Sequence, residues 1–332
     1  MNLAIFPRRG YLQRPTSIEA LPSFSKALGG KVNIFIKRDD ELPGAAGGNK
    51  TRKLDFSIAD AICQGADTII TCGAVQSNHC RLTLAWAVKE GMDCHMILEE
   101  RVKGSYKPEA SGNNFLFQLM GVKSIAVVPG GSDMTAAMND LAEKLKKEGR
   151  KPYIIPGGAS NPVGATGYVA CAQEILQQTF ESGLKIDAMV VPSGSAGTHA
   201  GILVGMIGCN ANIPVYGINV SRPRETQEAL VHKLAVATAE RVGAGTIPQS
   251  AVDCNGDYVG PGYSQVTDGM IEAVKLLART EGILLDPVYS GKAMAGLVDY
   301  VRKGKFAEGS NVLFLHTGGS AVLYAYMEAF RE

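Results

Sequence analysis

The sequence lacks several features that mark specialised classes of protein. Its seven cysteines form no CxxC pair and no Cys/His cluster with the spacing of a zinc site. No apolar run reaches the length of a membrane-spanning helix, and the first nine residues do not have the basic and then apolar organisation of a signal peptide. We therefore expect a cytoplasmic protein with reduced thiols, no bound metal and no membrane partner.

An excess of charge of either sign is also lacking. The 33 lysine and arginine residues nearly balance the 32 acidic residues, which leaves a net charge of +1. This balance gives no reason to expect nucleic acid as a partner. Apolar residues make up 45% of the chain, as in a globular protein, and 332 residues are many for a single core. We expect two medium-sized domains or one large one.

Glycine, in contrast, is abundant, and the 39 glycines cluster in short loops between predicted strands and helices. The predicted strands are 32–37, 67–72, 95–98, 124–128, 152–155, 187–191, 215–220 and 311–315. The predicted helices are 51–64, 80–90, 113–120, 134–148, 164–180, one ending near 207, 223–240, 266–281, 291–302 and a last one after Gly319. This alternation predicts α/β architecture with parallel sheets covered on both faces.

A glycine-rich loop at residues 44–48 precedes Lys50 at the start of a predicted helix. Leu54, Ile58 and Ala61 recur at helical spacing behind it. A lysine used in covalent chemistry needs this setting, with a permissive backbone in front of it and a rigid element behind it. A solvated lysine in an ordinary loop is the alternative interpretation of this segment taken alone.

Residues 193–198, Ser-Gly-Ser-Ala-Gly-Thr, lie directly between a predicted strand and a predicted helix. Small side chains let the backbone approach an anion, which the free N–H groups and the dipole of the helix start then hold. The segment is not a P-loop, and the next strand ends without an acidic residue for a ribose, so it is a poor dinucleotide fingerprint. We interpret it as a phosphate cup; a glycine turn needed only for packing is the alternative.

Polar side chains follow other predicted strands. Residues 76–79, Gln-Ser-Asn-His, offer more hydrogen-bonding groups than a helix cap requires. Residues 316–319, His-Thr-Gly-Gly, form a matching polar end on the last strand, although a glycine turn with a capping threonine explains them nearly as well. Tyr263 and Tyr289 lie in two further loops, where ordinary packing is the alternative to a binding role.

A lysine on a glycine-rich loop, a phosphate cup that does not fit a nucleotide and several polar strand ends together indicate a small phosphorylated cofactor held through the lysine. Pyridoxal 5'-phosphate fits this description, because it acts as an electron sink for carbanion chemistry on amino acids. A small amino acid is then the expected substrate.

Five motifs occur in an order that resembles a known family: residues 47–54, 76–79, 193–198, 286–289 and 316–319. The set resembles the D-cysteine desulfhydrase and 1-aminocyclopropane-1-carboxylate deaminase family of fold-type II pyridoxal-phosphate enzymes, which are related to the tryptophan synthase β subunit. The resemblance implies two open, twisted parallel-sheet domains and a homodimer. We expect residues 1–46 and 161–332 to form the large cofactor-binding domain and residues 47–160 the small α/β domain.

The resemblance also implies roles for individual residues. Lys50 would form the covalent link to the cofactor and then move the α-proton of the substrate. The other expected cofactor contacts are Asn78 at the ring hydroxyl, Gly194, Ser195, Ala196, Gly197 and Thr198 at the phosphate, and Thr317 at the pyridine nitrogen. Gln76, Ser77 and His79 would hold the substrate carboxylate or transfer protons, and Tyr263 and Tyr289 would line the substrate pocket. We expect Lys50, Ser77, Tyr263 and Tyr289 to be catalytic.

Ser290 marks a departure within the family. The resemblance implies Glu after the tyrosine of the Asp-Pro-Val-Tyr motif in the ring-opening deaminases, whereas this chain has Ser290 at that position. A hydroxyl in place of a carboxylate near the pyridine nitrogen would leave a weaker electron sink, which favours β-elimination over opening of a cyclopropane. The expected activity is a carbon–sulfur lyase that releases sulfide from D-cysteine or sulfite from L-cysteate, with pyruvate and ammonia.

Three alternatives stay open in the sequence. One is a 1-aminocyclopropane-1-carboxylate deaminase with a hydroxyl where the acid is expected, and another is a non-catalytic binder of a phospho-ligand. The third concerns the basic segment 101–107, which would favour a sulfonate in the substrate or would be an ordinary solvated loop.

Overall fold

The fold was analysed in a computed structural model, which describes residues 1–331. The strands are β1 Ile18–Ala20, β2 Asn33–Arg38, β3 Thr68–Ala74, β4 Asp93–Glu100, β5 Ser124–Pro129, β6 Pro152–Ile155, β7 Ala188–Ser193, β8 Val215–Asn219, β9 Asp253–Asn255 and β10 Asn311–His316. The α-helices are α1 Pro22–Ala27, α2 Lys50–Cys63, α3 Asn78–Lys89, α4 Asn113–Leu119, α5 Met134–Lys147, α6 Pro162–Ser182, α7 Gly197–Gly208, α8 Arg224–Val242, α9 Asp268–Glu281 and α10 Ser290–Arg302.

Among residues 1–331 the strands form two sheets. The larger has the order β1-β2-β10-β7-β8-β9, and all of its pairs are parallel except the edge pair β1–β2. The smaller has the order β5-β4-β3-β6 and is parallel throughout. The predicted α/β fold with two parallel-sheet domains is confirmed.

The chain leaves the large sheet after β2, completes the small sheet between β3 and β6, and returns to the large sheet at β7. The predicted boundaries after residues 46 and 160 fall within the two connecting segments. Which domain each connecting segment belongs to stays a prediction.

The predicted last helix after Gly319 is wrong. The segment forms two short 3-10 helices, Ser320–Ala325 and Met327–Ala329. Tyr326 donates its hydroxyl to the carbonyl oxygen of Ser264, and Ser111 donates its hydroxyl to the carbonyl oxygen of Tyr324. These bonds tie the segment to two separate loops, so its course is set by tertiary contacts.

A buried ionic cluster joins α2 to the end of β2 and to α6. Arg52 on α2 binds Asp39, which follows β2, with two hydrogen bonds of 2.8 Å, and it binds Glu174 on α6 with two more. Lys37 on β2 completes the cluster at 2.5 Å from Glu174. The positive charges of Lys37 and Arg52 offset the negative charges of Asp39 and Glu174, so the buried cluster has no net charge.

The N-terminal segment is also packed onto the small-sheet region. The ring of Tyr11 stacks on Trp86 of α3 with centroids 3.7 Å apart, and Arg9 pairs with Glu90 at the end of that helix. None of the helices within residues 1–331 combines the length and apolar character needed to cross a bilayer.

Candidate active site

One cavity lies at the carboxyl ends of β3, β7 and β10, where loops from both sheets meet. Parallel strands place their following loops at the same edge, which is where α/β proteins bind ligands. The predicted site residues that line it are Lys50, Ser77, Asn78, His79, Gly194, Ser195, Ala196, Thr198, Tyr263, Tyr289 and Thr317. The structure therefore brings together residues that are far apart in the sequence, such as Lys50 and Thr317.

Lys50 is the first residue of α2 and is held at the cavity wall. Its Nζ donates to Oδ1 of Asn49 at 3.0 Å and lies 5.7 Å from the centre of the Tyr289 ring. Burial lowers the pKa of Lys50 to about 8, an effect that the nearby Asp286 carboxylate partly opposes. A substantial fraction of the amine is thus neutral near pH 8 and able to act as a nucleophile or base.

The loop in front of Lys50 is fixed by a buried arginine. Arg81 on α3 donates to the carbonyl oxygens of Ala45 and Gly47, and its Nε donates to Oδ1 of Asn113 at 2.8 Å. Gly47 has φ of +66°, and a Cβ there would lie 2.0 Å from the carbonyl oxygen of Asp40. Only glycine fits this turn, and the Arg81 hydrogen bonds hold the loop in front of Lys50.

The predicted phosphate cup is formed by the start of α7. Ala196 adopts φ of +73°, and α7 begins at Gly197 without a side-chain cap. Ser160 contributes from the loop after β6: its Oγ donates to Oγ of Ser195 at 2.8 Å and accepts from the backbone N–H of Gly197 at 3.2 Å. Small residues at a helix start are suited to binding an anion, and the phosphate role of this segment stays a prediction.

Lys53 belongs to the same site although sequence reasoning missed it. Its Nζ donates to the carbonyl oxygen of Gly158 at 3.1 Å, and it has no carboxylate partner among residues 1–331. Burial, aided by the charge of Lys50, lowers the pKa of Lys53 well below its ordinary value. A Cβ at Gly197 would lie 2.7 Å from this Nζ. The signal in the sequence was the three-residue spacing from Lys50, which places both lysines on one helix face.

Asn78 and Thr317 each offer a polar group to the cavity. Oδ1 of Asn78 accepts from Nδ2 of Asn113 at 2.9 Å, which leaves the Asn78 amide N–H groups without a partner in the described chain. The hydroxyl of Thr317 likewise forms no hydrogen bond within residues 1–331, while its carbonyl oxygen accepts from the N–H of Asn49. Ser77 is different, because its hydroxyl caps α3 by accepting from the N–H of Cys80.

Gln76 and His79 are placed less favourably for substrate. Gln76 does not line the cavity, and its side-chain amide is bonded to the backbone of Ser111 and Asn113. His79 lines the cavity, but its Nε2 bonds to Thr71 and its Nδ1 to Thr83. Burial lowers the pKa of His79 well below its ordinary value, so the ring is neutral with both nitrogens engaged.

Tyr263 and Tyr289 form a pair whose hydroxyl oxygens are 2.6 Å apart. Burial raises the pKa of both phenols, so each keeps its proton at neutral pH. Lys292 on α10 supports this pair from behind. Its Nζ donates to the carbonyl oxygens of Val259 at 2.6 Å and Gly262 at 2.8 Å, which fixes the loop that carries Tyr263.

Ser290 does not line the cavity. Its hydroxyl donates to Oδ1 of Asp286 at 2.9 Å and accepts from the backbone N–H of Asp286 at 2.8 Å. The same carboxylate accepts from the N–H groups of Tyr289 and Ser290. The position after the tyrosine thus carries a small hydroxyl that closes the turn. Asp286 is the carboxylate whose charge acts on Lys50.

These features describe an α/β protein of two sheets whose cavity holds a buried lysine, a glycine-rich helix start and a pair of protonated phenols. The family model described as "Pyridoxal-phosphate dependent enzyme" matches residues 10–318. The chain belongs to this family.

Solved structures agree with the family. A crystal structure described as an ACC deaminase homologue is 37% identical, with 99% of this chain and 96% of that chain covered and a TM-score of 0.89. A crystal structure of O-ureido-L-serine synthase is 18% identical, with 93% of this chain and 90% of that chain covered and a TM-score of 0.64. An O-ureido-L-serine-bound mutant of that synthase is 18% identical, with 96% of this chain and 92% of that chain covered and a TM-score of 0.67. At 18% identity, the two synthase structures support the fold alone.

The residues present fit pyridoxal 5'-phosphate, the cofactor of this family. Lys53 is a buried amine that has no carboxylate partner in the described chain and would be charged beside an anion, and a Cβ at Gly197 would fill the space next to it. Lys50 provides an amine with a pKa of about 8. The amide N–H groups of Asn78 and the hydroxyl of Thr317 have no hydrogen-bond partner within residues 1–331. When bound, the cofactor supplies an electron sink that makes the α-proton of an amino acid removable.

Proposed function

We propose that this protein is a carbon–sulfur lyase that eliminates the β-substituent of a cysteine-type amino acid. The products from D-cysteine are pyruvate, ammonia and sulfide, and those from L-cysteate are pyruvate, ammonia and sulfite. The observation that carries this proposal is the placement of two protonated phenols, Tyr263 and Tyr289, beside Lys50. Elimination needs a base at the α-carbon and an acid at the leaving group, and these residues supply both.

In this proposal Lys50 holds the cofactor and then takes the α-proton of the substrate. The Tyr263–Tyr289 pair donates a proton toward the departing sulfur. Ser77, at the start of α3, orients the substrate carboxylate together with the helix dipole. The backbone of residues 194–198 and the Lys53 ammonium hold the phosphate, while Asn78 and Thr317 hold the ring. Gln76 and His79 act as supports for neighbouring segments.

A ring-opening deaminase is the second candidate, and it is favoured by the similarity to a protein described as an ACC deaminase homologue. Against it stands Ser290, whose hydroxyl is turned to Asp286 where the resemblance places a glutamate in the deaminases. A non-catalytic binder is disfavoured because the family is one of enzymes. We further infer a homodimer in the cytoplasm, which sedimentation and cell fractionation would test.

A product assay tests the proposal. The purified holoenzyme is supplied in parallel with D-cysteine, L-cysteine, L-cysteate and 1-aminocyclopropane-1-carboxylate, and sulfide, sulfite, pyruvate and 2-oxobutyrate are measured. We expect pyruvate with an equal amount of sulfide or sulfite. Release of 2-oxobutyrate without a sulfur product would establish the deaminase instead.

The same assay with Lys50→Ala serves as the control. This variant is expected to lose turnover and the absorbance of the lysine-bound cofactor together. Retention of both would overturn the role given to Lys50.

A further inference from the structure

Two arginine side chains line the cavity beside the tyrosine pair. The guanidinium carbon of Arg101 lies 4.3 Å from the centre of the Tyr263 ring. Arg222 donates to the carbonyl oxygen of Gly194 at 3.0 Å, and a Cβ at Gly194 would lie 3.1 Å from the Tyr289 ring. The Arg101 guanidinium therefore lies over the Tyr263 phenol, and Arg222 holds the backbone at Gly194, which is close to the Tyr289 ring.

Glu99 is the one carboxylate among the described residues that line this cavity. Its Oε2 accepts from Nε of Arg101 at 2.6 Å, and its Oε1 accepts from the N–H of Gly131 at 2.9 Å. Burial would raise the pKa of Glu99, but the Gly131 N–H and the charges of Arg101 and Arg222 together lower it. One negative charge thus faces two positive charges, which leaves this end of the cavity with an excess of positive charge.

The Arg101 guanidinium has N–H groups that form no hydrogen bond within residues 1–331. Among residues 1–331 only its Nε takes part in a hydrogen bond, which leaves both terminal amino groups without a partner on a side chain that lines the cavity and is 38% exposed. A planar guanidinium binds an oxyanion through two parallel N–H groups. A thiol or a cyclopropane ring has no oxygen to accept these bonds, whereas a sulfonate has three oxygens and a negative charge.

We propose that Arg101 and Arg222 bind a sulfonate on the β-carbon of the substrate, so that the enzyme prefers a dianionic amino acid such as L-cysteate. This inference rests on the proposed β-elimination and selects among its substrates. Glu99 is a positioning residue, because it holds the Arg101 guanidinium over Tyr263.

The step balances without an oxidant or reductant. The α-proton passes to Lys50, and the C–S bond breaks with its electron pair leaving on sulfite. Water then hydrolyses the remaining enamine to pyruvate and ammonium. The leaving group gains negative charge as the bond breaks, and the two guanidiniums stabilise that charge where it develops.

The test compares Arg101→Gln with Lys103→Gln, which removes an exposed positive charge from the same segment outside the cavity. In the wild-type holoenzyme we expect kcat/KM for L-cysteate to exceed that for either isomer of cysteine. Arg101→Gln is expected to lower kcat/KM for L-cysteate by about 10- to 100-fold, as loss of a hydrogen bond to a charged group does. The value for cysteine should change by less than about threefold, and Lys103→Gln should leave both values near wild type.

Arg222→Gln is expected to shift the ratio of the two values in the same direction. An equal loss on L-cysteate and cysteine in both arginine variants would show a structural role and overturn the proposal. The inference is also overturned if L-cysteate is no better than cysteine in the wild type.

Calorimetry separates this inference from the proposed lyase activity. Sulfopropanoate, which is cysteate without its amino group, is titrated into the wild-type holoenzyme and into Arg101→Gln, with propanoate as the ligand that lacks the sulfonate. Binding of sulfopropanoate that is at least about tenfold weaker in the variant supports the arginine site even if no substrate is turned over. Equal binding by both proteins overturns it, whatever the assay of products shows.

Discussion

At the scale of single residues, two lysines three positions apart are prepared for different tasks by their surroundings. Lys50 has an amide partner and the field of Asp286, and burial brings its pKa to about 8. The Nζ of Lys53 donates to the carbonyl oxygen of Gly158, and burial together with the charge of Lys50 lowers the pKa of Lys53 well below its ordinary value. The first is suited to covalent chemistry near neutral pH, and the second gains its positive charge when an anion occupies the cup.

The first prediction concerns the pH dependence of cofactor uptake. Lys50 is an ammonium below its pKa and a nucleophilic amine above it, so the rate at which cofactor-free protein takes up pyridoxal phosphate should rise with pH and level off above about 8. The measurement is stopped-flow absorbance of the bound cofactor. Lys50→Ala should show no such rise, and a midpoint near 10.5, the value of an unperturbed lysine, would contradict the prediction.

The second prediction concerns Gly197→Ala. The added Cβ would lie 2.7 Å from both Nζ of Lys53 and Oγ of Ser160, so it intrudes on the anion cup. We expect cofactor affinity to fall by about 10-fold or more, a loss on the order of 1.4 kcal/mol. Equilibrium dialysis measures this affinity. Gly269→Ala is the matched control, because Gly269 also lies at a helix start and its nearest atom would be 3.8 Å away. Equal affinity in the two variants would show that the cup tolerates a methyl group.

At the scale of elements, most helices and the longer strands could be predicted because their apolar periodicity is local. The six-residue helix α1 and the course of the segment after Gly319 were not predicted. The loops around Lys50 and the 193–198 segment were also predictable, since their chemistry lies in contiguous residues. β1 and β9 were missed because three residues carry too little pattern, and both depend on pairing with β2 and β8.

Side-chain direction was the part that could not be predicted. Gln76 and Ser77 are neighbours, yet Gln76 turns to the backbone at residues 111–113 and Ser77 lines the cavity. Ser290 likewise closes a turn on Asp286. These orientations depend on segments far away in the sequence, so no local pattern encodes them.

The third prediction concerns the α10 residue Lys292. Lys292→Met removes two hydrogen bonds to the loop that carries Tyr263 and leaves the carbonyls of Val259 and Gly262 without partners. We expect the loop to exchange backbone hydrogen faster and kcat to fall, while cofactor content stays unchanged. Hydrogen exchange by mass spectrometry and a turnover assay measure the two effects. Lys303→Met, which removes an exposed lysine at the end of the same helix, should change neither.

At the scale of the whole molecule, the cavity depends on how the two sheets are held against each other. The Arg52 cluster links α2, which carries Lys50, to the end of β2 in the large sheet and to α6. Its charges are buried and mutually satisfied, so removal of one partner leaves an uncompensated charge behind.

The fourth prediction follows for Arg52→Met. At pH 7 the free energy of unfolding should fall by about 3–5 kcal/mol, as for other broken buried ion pairs. Burial disfavours the Asp39 carboxylate, but Arg52 overcomes this and lowers the pKa of Asp39 below its ordinary value. The stabilisation is therefore present above about pH 4, the unfolded value, and is lost as pH falls through the folded value.

Urea unfolding at several pH values, with saturating cofactor, measures this effect. The difference between wild type and Arg52→Met should shrink in acid. Arg8→Met removes a half-exposed arginine 3.6 Å from Asp55 and should cost less than about 1 kcal/mol. A loss of that size for Arg52→Met would show that the cluster contributes little.

The position of β10 has a consequence for how the chain is made. β10 is the last strand in the sequence, yet it lies between β2 and β7 in the large sheet. During synthesis β2 has only the short β1 beside it until residues 311–316 emerge from the ribosome, whereas the small sheet is complete once β6 has emerged. Domains fold as units on the growing chain, so we expect the small sheet to form first and the large sheet to close after β10 has been made. Thr317 follows β10 directly, so we expect the cavity to form only after residues 311–317 have been made.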